Sequence, residues 1–148
     1  MDNIIDEKLF EFIYSQVLLL NGVTIPGEGA SQDDINKYEQ LKNLLTYYIN
    51  EICNNILIKT NRDTFPEGLK YLVVELTNNA YEMYNSNTTD NNQTIQSMSE
   101  TGRTVNFGVS DTWKTKYQIL INRQLNDNEK LINRYRLLYK TRCPYEKN

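Results

Sequence analysis

The sequence predicts a mainly α-helical protein: a helical bundle of about four to five helices with a long central helix, plus a short extended or β-hairpin arm near residues 98–109. Apolar residues recur at three- and four-residue steps along most of the chain, which is the period of a helix with one apolar face. Glycine and proline cluster between these stretches. The 148 residues, 39% of them hydrophobic, suffice for one core, so we expect residues 1–148 to form a single domain.

The periodicity predicts the first two helices. A helix over about 6–20 is indicated by apolar residues on one face, namely Leu9, Phe10, Ile13, Val17 and Leu20. Residues 21–31 contain three glycines and Pro26, which a helix interior does not tolerate, so we expect a loop. From 32 to 58 the apolar positions keep helical spacing over several turns, which predicts the long central helix, and Ser31 or Asp33 offers its N-cap.

A helix-start motif introduces the third helix. Thr64-Phe65-Pro66-Glu67 combines a capping threonine, a proline in the first turn and a glutamate three residues after the cap, a pattern typical of a helix start. The apolar face that runs from Leu69 to Tyr84 predicts a helix that packs on the central one. Residues 85–97 are polar and turn-prone, so we expect a mobile loop.

The last third of the chain begins with an alternating stretch. Residues 104–107 alternate polar and apolar side chains between Gly102 and Gly108, which predicts the extended or hairpin arm. Residues 110–112 cap a helix that ends near 126–129, where polar residues indicate a stop and a fresh cap. Helical spacing then returns before Pro144, so we expect a helical tail over about 127–142 with Tyr135 and Tyr139 on its apolar face.

Charge is distributed unevenly along the chain. In total, 16 Lys and Arg face 19 Asp and Glu, a net charge of −3 that argues against a globally basic nucleic-acid binder. Residues 1–40 contain eight acids and two bases, a balance of −6, whereas residues 129–148 contain two acids and six bases, a balance of +4. Such a molecule could pair head to tail with copies of itself or present its basic end to an acidic partner. Two ordinary solvated faces are the alternative.

The motifs of common catalytic and metal sites are missing from the sequence. Histidine, the commonest general base and metal ligand, does not occur, and Cys53 and Cys143 form no Cys-x-x-Cys pair. The sequence has no phosphate-binding loop, nucleophile elbow or calcium loop. We therefore expect no enzymatic activity, no metal and no cofactor, and we interpret Cys53 as a small apolar core residue. The acidic N-terminus and its interrupted apolar stretch predict neither a signal peptide nor a membrane span.

Three short stretches, in order, carry a resemblance to a known family. They are Phe65-Pro66-Glu67-Gly68-Leu69, the stretch Ser97-Met98-Ser99-Glu100-Thr101-Gly102-Arg103-Thr104-Val105-Asn106-Phe107, and Asn133-Arg134-Tyr135-Arg136. Over roughly residues 30–140 the chain resembles the head–tail connector family of tailed bacteriophages, also called head-completion or DNA-packaging adaptor proteins. In that family the stretches look like F-P-x-x-L, S-x-S-E-G-x-x-S-x-S-F and L-x-x-Y-R. Here Thr101 lengthens the Glu-Gly step by one residue.

The resemblance implies a structural virion protein without turnover. Its subunits would form a ring, of twelve copies when assembled, between the portal and the tail, complete the head after packaging and extend the DNA channel without sequence recognition. The C-terminal helix would dock on the portal, with Arg134, Arg136, Lys140 and Arg142 as candidate contacts. The arm, with candidate residues Ser99, Glu100, Gly102, Arg103 and Phe107, would reach neighbouring subunits or a downstream stopper or tail-completion protein. Assembly would take place in the bacterial host cytoplasm, and the protein would end at the head–tail interface of the virion.

The alternative is a helical DNA-binding or regulatory protein of a mobile element. That interpretation needs a short recognition helix with exposed Arg, Asn or Gln after a tight turn, whereas the helices expected here are long and their connections loose. An enzyme is a third and weaker candidate, for which a carboxylate with a raised pKa in a closed pocket would argue.

Overall fold

A computed structural model describes residues 4–89, 97–100, 103–106 and 112–138. Five α-helices make up most of these residues, so the predicted helical bundle is confirmed. The elements follow in the order α1 Glu7–Leu20, α2 Gln32–Thr60, a 3-10 turn Glu67–Leu69, α3 Lys70–Thr89, the strands β1 Ser97–Glu100 and β2 Arg103–Asn106, α4 Thr112–Asp127 and α5 Glu129–Asn133.

One continuous core joins all five helices. Helices α1, α2 and α4 pack on α3, α1 also contacts α2, and α5 rests on α2 and α4. Aliphatic and aromatic side chains from every helix are fully buried there, including Ile13, Tyr48, Ile52, Leu76, Tyr117, Leu125 and Ile132. Each helix therefore contributes the apolar face that its sequence period predicted.

The long helix α2 begins and ends as its terminal residues dictate. Ser31 is the N-cap, and its hydroxyl accepts a hydrogen bond of 3.2 Å from the Asp34 amide. The helix ends at Asn61, which adopts the left-handed conformation with φ 54°. Fully buried residues of α2 start only at Leu45. The C-terminal half of α2 is thus central in the bundle, whereas its N-terminal half is only partly covered.

The start of α3 differs from the prediction. Thr64 does not cap the helix, because the 3-10 turn starts at Glu67, with Pro66 in the N-cap position and no side-chain cap. Phe65 is buried against the core, and the α-helix proper begins at Lys70. The prediction of a loop from residue 85 is also wrong over residues 85–89, since α3 continues to Thr89. Residues 90–96 of that loop lie outside the described residues.

Among the described residues, the helical tail expected over 127–142 reaches only Asn133. Helix α4 ends at Asp127, and Asn128 separates it from α5, as predicted. However, α5 ends at Asn133, and residues 134–138 form a turn followed by non-helical backbone. The Leu137 amide donates to the Thr60 carbonyl at 2.9 Å instead of continuing the helix. Residues 139–142 are not among those described.

Two short strands connect α3 and α4 in sequence. β1 and β2 pair antiparallel, with Ser97 opposite Asn106, Met98 opposite Val105, Ser99 opposite Thr104 and Glu100 opposite Arg103. That this pair serves as an arm toward another subunit stays a prediction.

Candidate functional site

The C-terminal segment, residues 129–138, is fastened to the connection between α2 and α3. The Asn61 side-chain amide donates to the Leu137 carbonyl at 3.3 Å, and the Arg62 guanidinium Nε donates to the Tyr135 carbonyl. Together with the bond from the Leu137 amide to Thr60, these contacts fix the backbone of the segment from three consecutive residues, 60–62. Arg134 and Arg136 therefore lie on backbone that hydrogen bonds fix in place.

A glycine in the 3-10 turn makes room for the aromatic ring of this segment. A Cβ atom added at Gly68 would lie 2.1 Å from the Tyr135 hydroxyl and 2.8 Å from its ring carbon Cζ. Tyr135 is half-buried and packs against the core, as its place on the apolar face predicted. A side chain at position 68 would therefore displace the outer end of the Tyr135 ring.

The turn after α5 sends Arg134 and Arg136 to different sides. The amides of Arg134, Tyr135 and Arg136 bond to carbonyls three residues back, at 3.2, 3.0 and 3.2 Å. In such a 3-10 arrangement, residues three apart lie on the same side. Leu131 and Arg134 therefore share one side, Ile132 and Tyr135 face the core, and Asn133 shares a third side with Arg136. The sequence grouped the two arginines in one set, and the structure separates them.

Arg136 borders a small cleft where the C-terminal segment meets the end of α2. The cleft has a volume of about 200 Å³. Ile58, with 69% of its surface exposed, gives it an apolar part. Lys59 and Arg136 bring two cations, and Glu129 one carboxylate; the other lining residues are Leu125, Ile132 and Asn133. The arrangement suits an apolar side chain with an acidic neighbour. We call it the Arg136 cleft.

Sequence reasoning missed Ile58 and Lys59 as part of this cleft. Both lie on α2, far from Arg136 along the chain, and Ile58 was not singled out because an isolated exposed isoleucine has no special pattern. Of the other predicted docking residues, Arg134 is exposed on another side of the segment. Lys140 and Arg142 lie outside the described residues.

The predicted arm residues are separate from the Arg136 cleft in sequence. Ser99 and Glu100 belong to β1 and Arg103 to β2, where Glu100 and Arg103 are register partners. Gly102 and Phe107 lie outside the residues that the structure describes.

A second surface, which we call the α2 groove, lies along the N-terminal half of α2. Its larger part has a volume of about 470 Å³, and a neighbouring part of about 180 Å³ extends it toward Leu44 and Tyr84. Tyr38, Leu41 and Tyr81 form its apolar floor, with Val23, Pro26 and Ala30 from the loop after α1 at one side. The Tyr14 hydroxyl donates to the Tyr38 hydroxyl at 2.9 Å and so ties the floor to α1.

The rim of the α2 groove is charged. Asp34 and Lys37 line it, and the Lys37 ammonium lies 2.6 Å from the Asp33 carboxylate. This hydrogen bond and the charge of Asp33 raise the pKa of Lys37 above its usual value. The one carboxylate and the one ammonium that line the groove, those of Asp34 and Lys37, balance in charge.

Two groups elsewhere, the buried Cys53 thiol and the partly exposed Tyr47 hydroxyl, have raised pKa values. Burial raises the pKa of the Cys53 thiol to about 12, which makes the nucleophilic thiolate scarce at neutral pH. The prediction that Cys53 is a buried core residue is confirmed. A hydrogen bond with Glu51, followed by burial, raises the pKa of Tyr47 to about 12.

Metal-binding clusters and membrane-spanning helices are both missing from the described part of the chain. Within the described ranges, no group of three or more Cys, Asp or Glu side chains is placed to hold a metal ion. No helix in the part of the chain that the structure describes is long and apolar enough to cross a membrane.

Comparisons of the chain with protein-family models, with curated proteins and with solved structures found no match. The resemblance to head–tail connectors therefore stays a prediction that its own three motifs support.

Proposed function

We propose that this protein is a structural subunit of a tailed-phage virion. Its copies would form a connector ring between the portal and the tail, complete the head after DNA packaging and extend the DNA channel. The twelve-fold ring, the downstream stopper or tail-completion protein and the location at the head–tail interface are what the motif resemblance implies. The protein would have no catalytic turnover.

The observation that carries this proposal is the contact between two of the three resembling stretches. Phe65-Pro66-Glu67-Gly68-Leu69 forms the turn before α3, and Asn133-Arg134-Tyr135-Arg136 follows α5. They meet where the Tyr135 ring lies against Gly68. Short motifs carry little information singly, but two that build one close contact act as a single structural feature. That two of the three resembling stretches lie against each other in the fold supports the proposal.

For the portal contact, the Arg136 cleft offers the most defined surface. Its exposed Ile58 provides apolar area, and Lys59 and Arg136 provide the positive charge that would complement an acidic segment of the portal. We therefore narrow the predicted docking set: Arg136 contacts the portal directly, and Ile58 and Lys59 join it.

The net charge agrees with a channel through which DNA slides. A net charge of −3 repels phosphates, whereas a basic lumen would hold DNA in proportion to the phosphates it neutralises. The β1–β2 pair would act as the arm that contacts a neighbouring subunit or the next layer.

The test is to mix the purified protein with the portal ring encoded near it and to follow binding by co-sedimentation and negative-stain microscopy. We expect stoichiometric rings on the portal. Arg136→Glu and Ile58→Asp should each weaken portal binding, whereas Lys42→Glu, an exposed change elsewhere on α2, should leave binding unchanged.

Two results would overturn the proposal. One is a protein that neither binds the portal nor forms rings at high concentration. The other is tight, sequence-specific DNA binding, which would instead favour the helical regulator of a mobile element.

A further inference from the structure

We propose that Asn21 is a self-modification site, at which attack by the neighbouring Gly22 amide nitrogen converts the side-chain amide to a carboxylate and so releases the end of α1 from α3. Asn78 limits the rate of this conversion. Asn21-Gly22 is the only Asn-Gly pair in the sequence, and glycine has no side chain that would obstruct its amide nitrogen. The inference goes beyond the proposed function and does not depend on it.

The reaction needs only these two residues and water. The Gly22 nitrogen loses its proton and attacks the side-chain carbonyl carbon of Asn21. The new C–N bond closes a cyclic succinimide, and the side-chain nitrogen leaves as ammonia. Water then opens the ring at either carbonyl and gives aspartate or isoaspartate. One amide and one water thus become one carboxylic acid and one ammonia, with no change of oxidation state.

The folded chain holds the two reacting groups apart. Asn21 is the C-cap of α1, and its ψ of 3° places the Gly22 nitrogen beside the backbone nitrogen of Asn21 rather than beside its side chain. The Asn21 side chain points back along α1, where its nitrogen donates to the Val17 carbonyl at 2.8 Å. The Gly22 amide is also occupied, since it donates to the Leu19 carbonyl at 3.2 Å. Ring closure therefore requires the end of α1 to open first.

Asn78 holds this end of α1 closed from the neighbouring helix α3. The Asn21 side-chain nitrogen donates to Asn78 Oδ1 at 2.7 Å. Apolar packing contributes little at the last two residues of α1, because Leu19 is 73% exposed and Leu20 63%. The Asn78 nitrogen donates to Glu82 Oε1 at 3.0 Å, which fixes the orientation of the Asn78 amide. The opening of the α1 end, and with it the rate of modification, therefore depends on the Asn78 oxygen.

The conversion breaks this contact between α1 and α3. A carboxylate at position 21 has no hydrogen to donate, so it faces the Val17 carbonyl and the Asn78 oxygen as a third acceptor. Asn78 cannot turn its nitrogen toward the carboxylate without turning its oxygen toward Glu82. A negative charge at a helix C-terminus is also unfavourable. Because the ammonia is lost, the loosening of α1 is irreversible and accumulates with the age of the protein.

Ageing of the full chain tests the rate. Wild type, Asn78→Ala and Asn79→Ala are incubated in the same buffer at the same temperature, and peptide mapping by mass spectrometry follows aspartate and isoaspartate at position 21. Asn78→Ala should convert roughly two- to tenfold faster than the wild type, the factor that one neutral hydrogen bond contributes to an opening equilibrium. Asn79→Ala leaves both side-chain bonds of Asn21 in place, so it should convert at the wild-type rate. The wild type unfolded in urea should convert faster than any folded sample.

Hydrogen exchange tests the structural consequence. Asn21→Asp has the side chain of the aspartate product and should speed exchange at the Gly22 and Val23 amides, which donate to carbonyls of the last turn of α1. Asn43→Asp, the same change at an exposed position of α2, should leave both amides as in the wild type. Circular dichroism should show native helix content in both variants. If Asn21→Asp does not fold, the aged wild type enriched in the converted form replaces it.

Four results would overturn the inference. They are the absence of aspartate and isoaspartate at position 21 in every sample, conversion of the folded wild type as fast as in urea, equal rates in Asn78→Ala and Asn79→Ala, and unchanged exchange at Gly22 and Val23 in the converted chain.

Discussion

The Tyr135 ring of the C-terminal segment occupies the space that a side chain at position 68 would need. Gly68→Ala would place a methyl group 2.1 Å from the Tyr135 hydroxyl, so the outer end of the ring must shift. We expect a loss of roughly 1–3 kcal/mol in the free energy of unfolding, as for other overpacked sites. Urea unfolding measures it.

A matched glycine provides the control for this prediction. A Cβ at Gly27 would meet no atom within 4 Å, and its φ is not positive. Gly27→Ala should therefore change stability little. If both variants lost the same free energy of unfolding, the loss in Gly68→Ala would not come from contact with the Tyr135 ring.

The buried tyrosines differ in how well their hydroxyls are bonded. Tyr48 is fully buried, and its hydroxyl has no hydrogen-bond partner among the described residues; burial also raises its pKa well above the usual value. Removing an unpaired buried hydroxyl relieves its desolvation cost, so Tyr48→Phe should leave stability unchanged or raise it by about 1 kcal/mol. Thermal or urea unfolding at neutral pH is the measurement.

Tyr14 supplies the contrasting case at the same scale. Its hydroxyl donates to Tyr38 at 2.9 Å, so Tyr14→Phe should lower stability by about 0.5–1.5 kcal/mol. A Tyr48→Phe variant that loses as much as Tyr14→Phe would mean that an ordered water bonds the Tyr48 hydroxyl.

Among the elements, the C-terminal segment is held by few hydrogen bonds to residues 60–62. Arg62→Ala removes the donor to the Tyr135 carbonyl. We expect faster hydrogen exchange at the Leu137 amide, which donates to Thr60, while the central amides of α3 keep their protection. Asn61→Gly is the milder comparison, because glycine accepts the left-handed conformation of Asn61 and removes only its side-chain bond to Leu137. Unchanged exchange at Leu137 in both variants would contradict this role of residues 61 and 62.

The same elements show how far the sequence determines the fold. Helices α1 and α2 were predicted to within about two residues, because their apolar period is long and Ser31 is a local cap. The prediction of a helix after Asn133 was wrong. The backbone there bonds to Thr60, Asn61 and Arg62, which are distant in sequence and therefore leave no local pattern. The start of α3 was also wrong: Phe65 is buried and the 3-10 turn begins at Glu67, so Thr64 does not stand at the cap position.

The candidate site was only partly predictable for the same physical reason. Arg136 was identified from the basic composition of the C-terminus, but its separation from Arg134 follows from hydrogen bonds three residues apart. Ile58 and Lys59 enter the cleft only because α5 packs on the end of α2. The α2 groove could not be predicted, because the helical spacing of Tyr38 and Leu41 is the same whether these side chains are fully buried or partly exposed.

At the scale of the whole molecule, the core predicts one cooperative unfolding unit. Leu76 in α3 and Leu125 in α4 are both 1% exposed and belong to the same continuous cluster. Leu76→Ala and Leu125→Ala should therefore each lower the free energy of unfolding by about 2–5 kcal/mol. Both should shift a single urea transition without changing its slope, with circular dichroism in the far and near ultraviolet reporting the same midpoint. If α4 and α5 instead formed a separate unit, Leu125→Ala would create an early partial loss of helix and leave the main midpoint in place. Comparing the unfolding transitions of the two leucine variants thus shows whether α4 and the segment with Arg134 and Arg136 unfold together with the rest of the bundle.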